Sequence, residues 1–515
     1  MKLRINYEKC LCTDFPKAAP LNKGPIIRID GHRIKNSNNV KYLGILMDNK
    51  LTLKDHVHYA YEKAITTIHS LSSIARNKWG YNSKTCRLLY TAVIEPIITY
   101  SAEIWGTSAV KVHIRRKLQS AQRLMAITIT KSYKTAPTDA IIAIANLTPI
   151  DLIIKERVWK YQQFKLVKGI NNNEEFNRII KQLGVQTMAT KIADHIKHNK
   201  LDYSIQQHNY HPTFAIDELF FMDGANTPGG HLIYTDGSKS EVGVGSAFVV
   251  MENNHYVYQA RYRLANHCTI NQAESYAIFR ALSWIKDNRT QQNITKATIL
   301  SDSRVALLQL RGLNVKLTII KYSINILKTL REEVTMAFAW VKGHDNIRGN
   351  ERADTLARSA PKWLNNISFT NTPISWLKSN IHNVTLDCWQ KRWEISTTGR
   401  TTYQFIPNVL QRITNRYLTP TFHVTQLLTG HGNLRTYLYR FLQKSDGICP
   451  CQLHEAETIE HIIYLCPTYC NQRKSLVEAV RKENELWPCQ LQTFINNKRI
   501  FSAFEAFASA IGILD

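Results

Sequence analysis

The chain has 515 residues, with 66 Lys or Arg against 40 Asp or Glu and a net charge of +26. Hydrophobic residues make up 44% and charged residues 21%, which excludes a mostly disordered chain and allows roughly three or four domains. No run approaches the roughly 20 apolar residues of a membrane span. The N-terminal segment holds no apolar signal core, and ten cysteines are too sparse for a disulfide scaffold. These features lead us to expect an intracellular protein that is not secreted, with nucleus or cytoplasm undecided and its cysteines reduced or metal-bound.

The charge is uneven. Residues 1–230 hold 33 basic and 18 acidic side chains, residues 231–360 hold 17 and 11, and residues 361–515 hold 16 and 11. A polyanion is the expected partner. Nucleic acid ranks ahead of a membrane because no strongly basic amphipathic helix stands out. Oligomeric state is not legible.

In chain order, residues 26–29 and Ile34 flank Asp30-Gly31, a hairpin turn signal. From about residue 53, Val57, Ala60, Tyr61, Ala64, Ile65, Ile68 and Leu71 recur at helical spacing, and Gly80 is the expected stop. Further helices are expected over 83–105, 111–129 and 151–168, with breaks at Pro137 and Pro149. Residues 170–230 are polar, rich in Asn and His, and read as a linker that ends in Gly229. The pattern then changes. Strands are expected at 231–236, 244–251 and 256–264, a helix at 271–288, a strand at 297–302, helices at 303–310 and 319–332, a strand at 335–341 and a helix at 349–358. That order predicts an α/β fold with a mixed five-stranded sheet and packed helices. Mainly helical regions flank it. The expected divisions are 1–165, a linker at 166–228, 229–360 and 361–515.

Four carboxylates mark the α/β segment. Asp236 and Asp302 are expected at strand ends, where open α/β sheets bind ligands. Glu274 falls in the first turn of the helix after the third strand, and Asp354 in the last helix. If the first and fourth strands are neighbours, the four converge. Clustered carboxylates repel and protonate unless a cation holds them. An oxygen-only set suits Mg²⁺ or Mn²⁺, and paired ions about 4 Å apart suit phosphodiester hydrolysis. Each residue also has a plainer reading. Asp236-Gly237-Ser238 fits a turn, Asn271-x-x-Glu274 fits a capping box, Asp302 fits a helix cap, and Asp354 fits a solvated helix face.

With these motifs in place, the segment resembles ribonuclease H type 1 domains. The matching residues are Tyr234-Thr235-Asp236-Gly237-Ser238, Asn271-Gln272-Ala273-Glu274, Ser301-Asp302-Ser303, Trp340-Val341-Lys342-Gly343-His344 and Gly349-Asn350-Glu351-Arg352-Ala353-Asp354. The resemblance implies a ribonuclease H-like fold in which Asp236, Glu274, Asp302 and Asp354 ligate two Mg²⁺ ions. It implies cleavage of the RNA strand of an RNA/DNA hybrid to 3′-hydroxyl and 5′-phosphate ends. It also implies that His344 moves a proton at the leaving group and that Asn271 meets the hybrid's minor groove. Ser238 and Asn350 are further substrate-binding candidates. Ile270 stands where the family often has a polar residue.

Two flanking series extend the resemblance. Residues 40–45 (Val-Lys-Tyr-Leu-Gly-Ile), His56, 89–96 (Leu-Tyr-Thr-Ala-Val-Ile-Glu-Pro), Tyr100 and Trp105 look like the segment after the catalytic palm in reverse transcriptases of non-LTR retrotransposons. The chain has no Asp-Asp dipeptide, so no polymerase activity is expected from it. Lys111, Arg115, Arg116 and Arg123 are the expected basic contacts to other nucleic acid, with salt-dependent affinity. Near the C-terminus, Cys449, Cys451, His461 and Cys466 form C-x-C-x9-H-x4-C, a donor set suited to structural Zn²⁺, with His454 and Cys470 as rival ligands. The cluster is similar to the CCHC motif of non-LTR retrotransposon proteins. Trp389 and Trp393, at i and i+4, are expected to pack rather than stack on bases. The reading that follows is a metal-dependent RNA/DNA-hybrid endonuclease within a retrotransposon polyprotein. Its rival is a catalytically inactive nucleic-acid-binding remnant.

Overall fold

The computed structural model describes residues 5–15, 26–72, 80–167, 173–203, 220–221, 230–312, 317–330, 332–362, 366–444 and 446–511. The chain divides into two compact units. One comprises Met1–Leu166, Asn171–Gly184 and Ile381–Asp515, and the other Val167–Ile170 and Val185–Asn380.

The first unit is mainly helical. Helix Lys54–Ser72 buries Val57, Ala60, Ala64 and Ile68, the stripe that its apolar spacing predicts. Strands Arg28–Ile29 and His32–Arg33 pair antiparallel around Asp30 and Gly31, both at positive φ, as the turn dipeptide requires. Helices Val112–Thr130 and Ile150–Val167 match expectation closely. The expected single helix over 83–105 is instead broken. Pro96 lies at the start of Glu95–Thr99, and Ser101 takes a left-handed φ of 51° before Ala102–Trp105. Residues from both ends of the chain build one core, in which Tyr90, Trp105 and Leu118 pack with Leu386, Trp389 and Trp393. Trp393 also donates its indole N–H to the Ile406 carbonyl at 2.7 Å, so both tryptophans serve packing. A second core joins Phe405, Phe494 and Phe504 to Cys449 and Cys466.

The stretch expected to be a linker, 166–228, contains two helices among its described residues, Asn173–Leu183 and Gln186–Asn199. The first buries Phe176, Ile179, Ile180 and Leu183, an amphipathic repeat that the polar composition obscures. The remainder of that stretch lies mostly outside the described residues.

The second unit is built on a mixed sheet. Strands β1 (His231–Ser240), β2 (Gly243–Glu252) and β3 (His255–Leu264) form an antiparallel meander. Helix α1 (Ile270–Asn288) leads to β4 (Lys296–Ser301), which pairs parallel to β1. Helices α2 (Arg304–Arg311) and α3 (Thr318–Leu330) lead to β5 (Thr335–Trp340), parallel to β4, and α4 (Arg348–Ser359) follows. The order is β3-β2-β1-β4-β5, the expected ribonuclease H-like arrangement. A two-residue strand, Phe220–Phe221, pairs parallel to β5 at that edge.

Alternation along the strands fills both faces. Ile233, Phe248 and Val250 pack with α1 and α3, whereas Tyr234, Val249 and Met251 pack with Ala353 and Leu356 of α4. Burial on both sides explains the nearly continuous apolar run of β2.

The unit reaches beyond the expected 229–360. Asp202 is fully buried and accepts from the Gln272 amide at 2.8 Å and from the Thr318 backbone N–H at 3.0 Å. It thereby ties the segment after helix Gln186–Asn199 to the starts of α1 and α3. Asp202 N–H donates to the Thr372 carbonyl at 2.8 Å, and His195 stacks on Trp376 at 3.9 Å between centroids. A fragment spanning 185–380 should therefore be more stable in urea than one spanning 229–362. In the longer fragment, Asp202→Ala should cost about 1–3 kcal/mol by removing an acceptor from the buried Gln272 amide and the half-buried Thr318 N–H.

Candidate active site

The site begins with strand pairing. Ser301, the last residue of β4, pairs with Thr235 of β1, so Asp302 and Asp236 emerge side by side. Thr235 Oγ1 donates across this pair to the Leu300 carbonyl at 3.2 Å. Asp236 does not end its strand, as the turn signal Asp-Gly-Ser suggested. β1 runs on to Ser240 because β2 continues to pair with it as far as Gly243.

Glu274 is delivered by α1. The helix is capped by Thr269, whose hydroxyl accepts from Gln272 N–H, while Gln272 Oε1 accepts from Thr269 N–H at 3.0 Å. The capping box thus lies two residues ahead of the Asn271/Glu274 pair and leaves Glu274 to face the site. Ser303, not Asp302, caps α2. A Cβ on Gly237 would lie 2.4 Å from the Glu274 nitrogen and 2.7 Å from the Ala273 carbonyl carbon, so only glycine permits this approach.

Carboxylate oxygens of Asp236, Glu274 and Asp302 all lie within 4.8 Å of one another. Asp236 and Glu274 are buried and Asp302 half-buried. Burial first, then the Asp302 and Asp354 charges, push the Asp236 carboxyl up to about 8. Burial and the neighbouring Asp236 and Asp302 raise Glu274 as well. Burial also raises Asp302, while a hydrogen bond from the buried Asn350 amide opposes the rise. Asp236 Oδ2 and Glu274 Oε2 are buried acceptors with no hydrogen-bond partner. Trp340 Nε1 donates to the Asp302 carbonyl at 3.0 Å, and Gly343 packs so close that a Cβ there would be 2.8 Å from Asp302 Oδ2.

Asp354 is close enough to raise Asp236 but stands outside the tight trio. Arg358 Nε donates to Asp354 Oδ1 at 2.7 Å, and Asp354 clusters with His344 and Glu351. Glu351 was not singled out from the sequence, although its i,i+3 spacing from Asp354 places both on one helix face. His344 is exposed in the loop between β5 and α4, has φ +57°, and its charge lowers Asp302. Asn350 touches Asp302. Asn271 donates to Gln309 Oε1 at 3.0 Å and leaves its own Oδ1 without a partner. Ser238 is half-buried two residues beyond Asp236 on β1.

In the helical unit, Cys449, Cys451, His461 and Cys466 are all buried and their donor atoms lie within 4.8 Å of one another. Cys449 Sγ is 3.7 Å from Cys466 Sγ, and Cys451 Sγ is 3.4 Å from His461 Nε2. His461 Nδ1 faces Glu455 Oε2 at 3.3 Å. Cys470 is exposed, and neither it nor His454 joins the group. Of the four basic residues proposed for nucleic acid, Lys111 and Arg116 are exposed and Arg115 is half-buried. Arg123 is instead spent on structure, donating to Thr138 Oγ1 and to the carbonyls of Lys134 and Ala136.

The RNase H family profile matches residues 229–362. The putative 115 kDa protein of the type-1 retrotransposable element R1DM of Drosophila melanogaster is 26% identical over 149 residues, 29% of this chain and 14% of that protein. The retrovirus-related Pol polyprotein from type-1 retrotransposable element R1 4 of Nasonia vitripennis is 28% identical over 135 residues, 26% of this chain and 34% of that protein. The matched segments thus span well under two thirds of either relative. Among solved structures, LC11-RNase H1 in complex with RNA/DNA hybrid aligns at 21% identity and a TM-score of 0.22, covering 26% of this chain and 96% of that one. Residues 229–362 form a ribonuclease H domain, in a chain whose homologues are polyproteins of non-LTR retrotransposable elements.

Proposed function

We propose that this chain hydrolyses the RNA strand of RNA/DNA hybrids in a reaction dependent on Mg²⁺ or Mn²⁺, as part of a retrotransposon polyprotein. The observation that carries the reading is the pair of buried, unpartnered acceptors, Asp236 Oδ2 and Glu274 Oε2, beside the third carboxylate of Asp302. Three such groups cannot all ionise in a dry space without a cation, and an all-oxygen donor set suits a hard divalent ion. Asp236, Glu274, Asp302 and Asp354 would hold two such ions. When bound, the ions supply a Lewis acid for the attacking water and for the leaving 3′ oxygen.

The chain's own groups do the rest. Asn350 holds the Asp302 carboxylate in place. His344, exposed and beside Asp302, carries a proton to the leaving oxygen. Asn271 and Ser238 meet the hybrid, where telling RNA from DNA depends on the 2′-hydroxyls.

Cys449, Cys451, His461 and Cys466 would hold structural Zn²⁺. Zn–S bonds near 2.3 Å give a tetrahedral S–S edge of about 3.8 Å, and Cys449 and Cys466 stand 3.7 Å apart, far beyond a disulfide. Glu455 at His461 Nδ1 fixes the ring so that Nε2 faces the sulfurs.

Three measurements test this. With labelled hybrid, cutting of only the RNA strand should require Mg²⁺, stop with EDTA and be lost in Asp302→Asn. His344→Ala should slow it by about 10²-fold. Tight binding with no cutting by the wild type would sink the enzyme reading and leave a binding remnant.

In buffer without Mg²⁺, the raised Asp236 carboxyl binds its proton more tightly in the folded than in the unfolded state. Its contribution is therefore intact below the unfolded value of about 4 and is lost as pH rises through about 8. The melting temperature should fall over that window, and both Mg²⁺ and Asp236→Asn should flatten the slope. An Asp236→Asn variant as pH-sensitive as the wild type would count against this site.

Atomic absorption should find about one Zn²⁺ per chain. Cys451→Ser should lose the metal and open residues 446–470 to proteolysis, and a metal-free wild type would refute the zinc assignment.

A further inference from the structure

A cleft of about 550 Å³ in the helical unit collects positive charge with no acidic side chain lining it among the described residues. Lys84, Arg87, Arg412 and Arg416 supply the charge. Its lining comes from residues 83–91, Ile129, Ala145 with Asn146, and residues 412–420, and the hydroxyl of Ser83 ties the first of these to the last by donating to the Pro420 carbonyl at 2.6 Å. Arg412 is the unusual member, because it is only 4% exposed. Its guanidinium donates to the carbonyls of Ile144 at 2.7 Å, Asn415 at 3.0 Å and Leu418 at 3.2 Å, yet its Nε–H is buried without a partner. Arg87 Nε donates to the Asn146 carbonyl at 3.1 Å.

Part of this charge caps the C-terminal end of helix Thr138–Ala145. That end offers only about half a negative charge, which leaves most of four positive charges uncompensated. A buried cation without a counter-charge is costly, and burial together with the Arg87 charge lowers the proton affinity of Arg412. Lys84 and Arg416 are exposed at the mouth, so an anion can enter. The remaining wall includes Leu88, Ile129 and Ile413, an apolar surface suited to a base or sugar face.

We propose that this cleft binds a backbone phosphate of a single-stranded nucleic acid, with Arg412 as the buried anchor and Lys84, Arg87 and Arg416 around the charge. The site lies wholly within the helical unit and is independent of the nuclease reading. A strand is favoured over a free nucleotide because the exposed cations at the mouth can serve neighbouring phosphates.

The test is fluorescence anisotropy of the full chain with labelled single-stranded DNA of about 12 nucleotides, which a hybrid-specific nuclease leaves intact. Wild type is compared with Lys84→Ala/Arg416→Ala across a salt series, and circular dichroism checks that the variant is folded. Losing two phosphate contacts should lower the slope of log K against log salt by about 1.4 and weaken binding roughly 20-fold near 0.1 M salt. Hybrid cleavage, measured in parallel, should be unchanged, which separates this site from the nuclease. Equal affinity and slope in both proteins would overturn the proposal, as would absence of binding by the wild type. Competition with inorganic phosphate and AMP identifies the source of the phosphate. If AMP binds as tightly as the strand and displaces it fully, the cleft is a nucleotide site and the strand assignment fails.

Discussion

The chemistry of this chain depends on how closely β1 and α1 approach at Gly237. A single methyl group there would collide with the backbone of Glu274 and Ala273. Without it, a strand that carries Asp236 meets a helix that carries Glu274, and β4 adds Asp302 from the adjacent register position. The fold thereby forces like charges into one buried space. Burial first, and then repulsion between neighbouring carboxylates, raises all three carboxyls, so the ionised trio is electrostatically unfavourable. Packing on both faces of the sheet offsets the cost of that cluster.

The surrounding groups keep that trio in place. Trp340 and Asn350 hold Asp302 from two sides, and the Thr269/Gln272 box starts α1 at the register that aims Glu274 inward. Gln272 has a second duty, since its amide also donates to Asp202. The helix start that positions a site carboxylate is therefore buttressed by a segment well upstream of the sheet.

The helical unit handles charge differently. Asp151 is buried and receives a two-pronged contact from Arg392, at 2.9 and 2.7 Å, with a third bond from Gln119. That pairing satisfies both partners and lowers Asp151. Arg412 has carbonyl acceptors but no such acid, and this contrast within one core is what marks the cleft beside it. The Cys and His cluster is a third solution, four buried donors gathered within a core of aliphatic and aromatic side chains.

Much of this was legible in the sequence because its signals are local. Alternation and helical spacing located most elements of the α/β unit to within a few residues, and Asp30-Gly31 announced its own hairpin. Asp236, Glu274 and Asp302 stood out through residue type and strand–helix order, and the four zinc-type donors through short spacing. Tertiary structure alone decided the rest. It set Asp354 apart from the trio by giving it Arg358, extended β1 past Asp236 through pairing with β2, moved the capping box ahead of Asn271, and diverted Arg123 to a turn. It joined the post-palm-like helices to the C-terminal region in one core, and it enlisted residues 185–203 for the α/β unit. The joined core and the enlisted segment depend on partners tens to hundreds of residues away, and periodicity or spacing within a short window carries no record of which distant surface will fit.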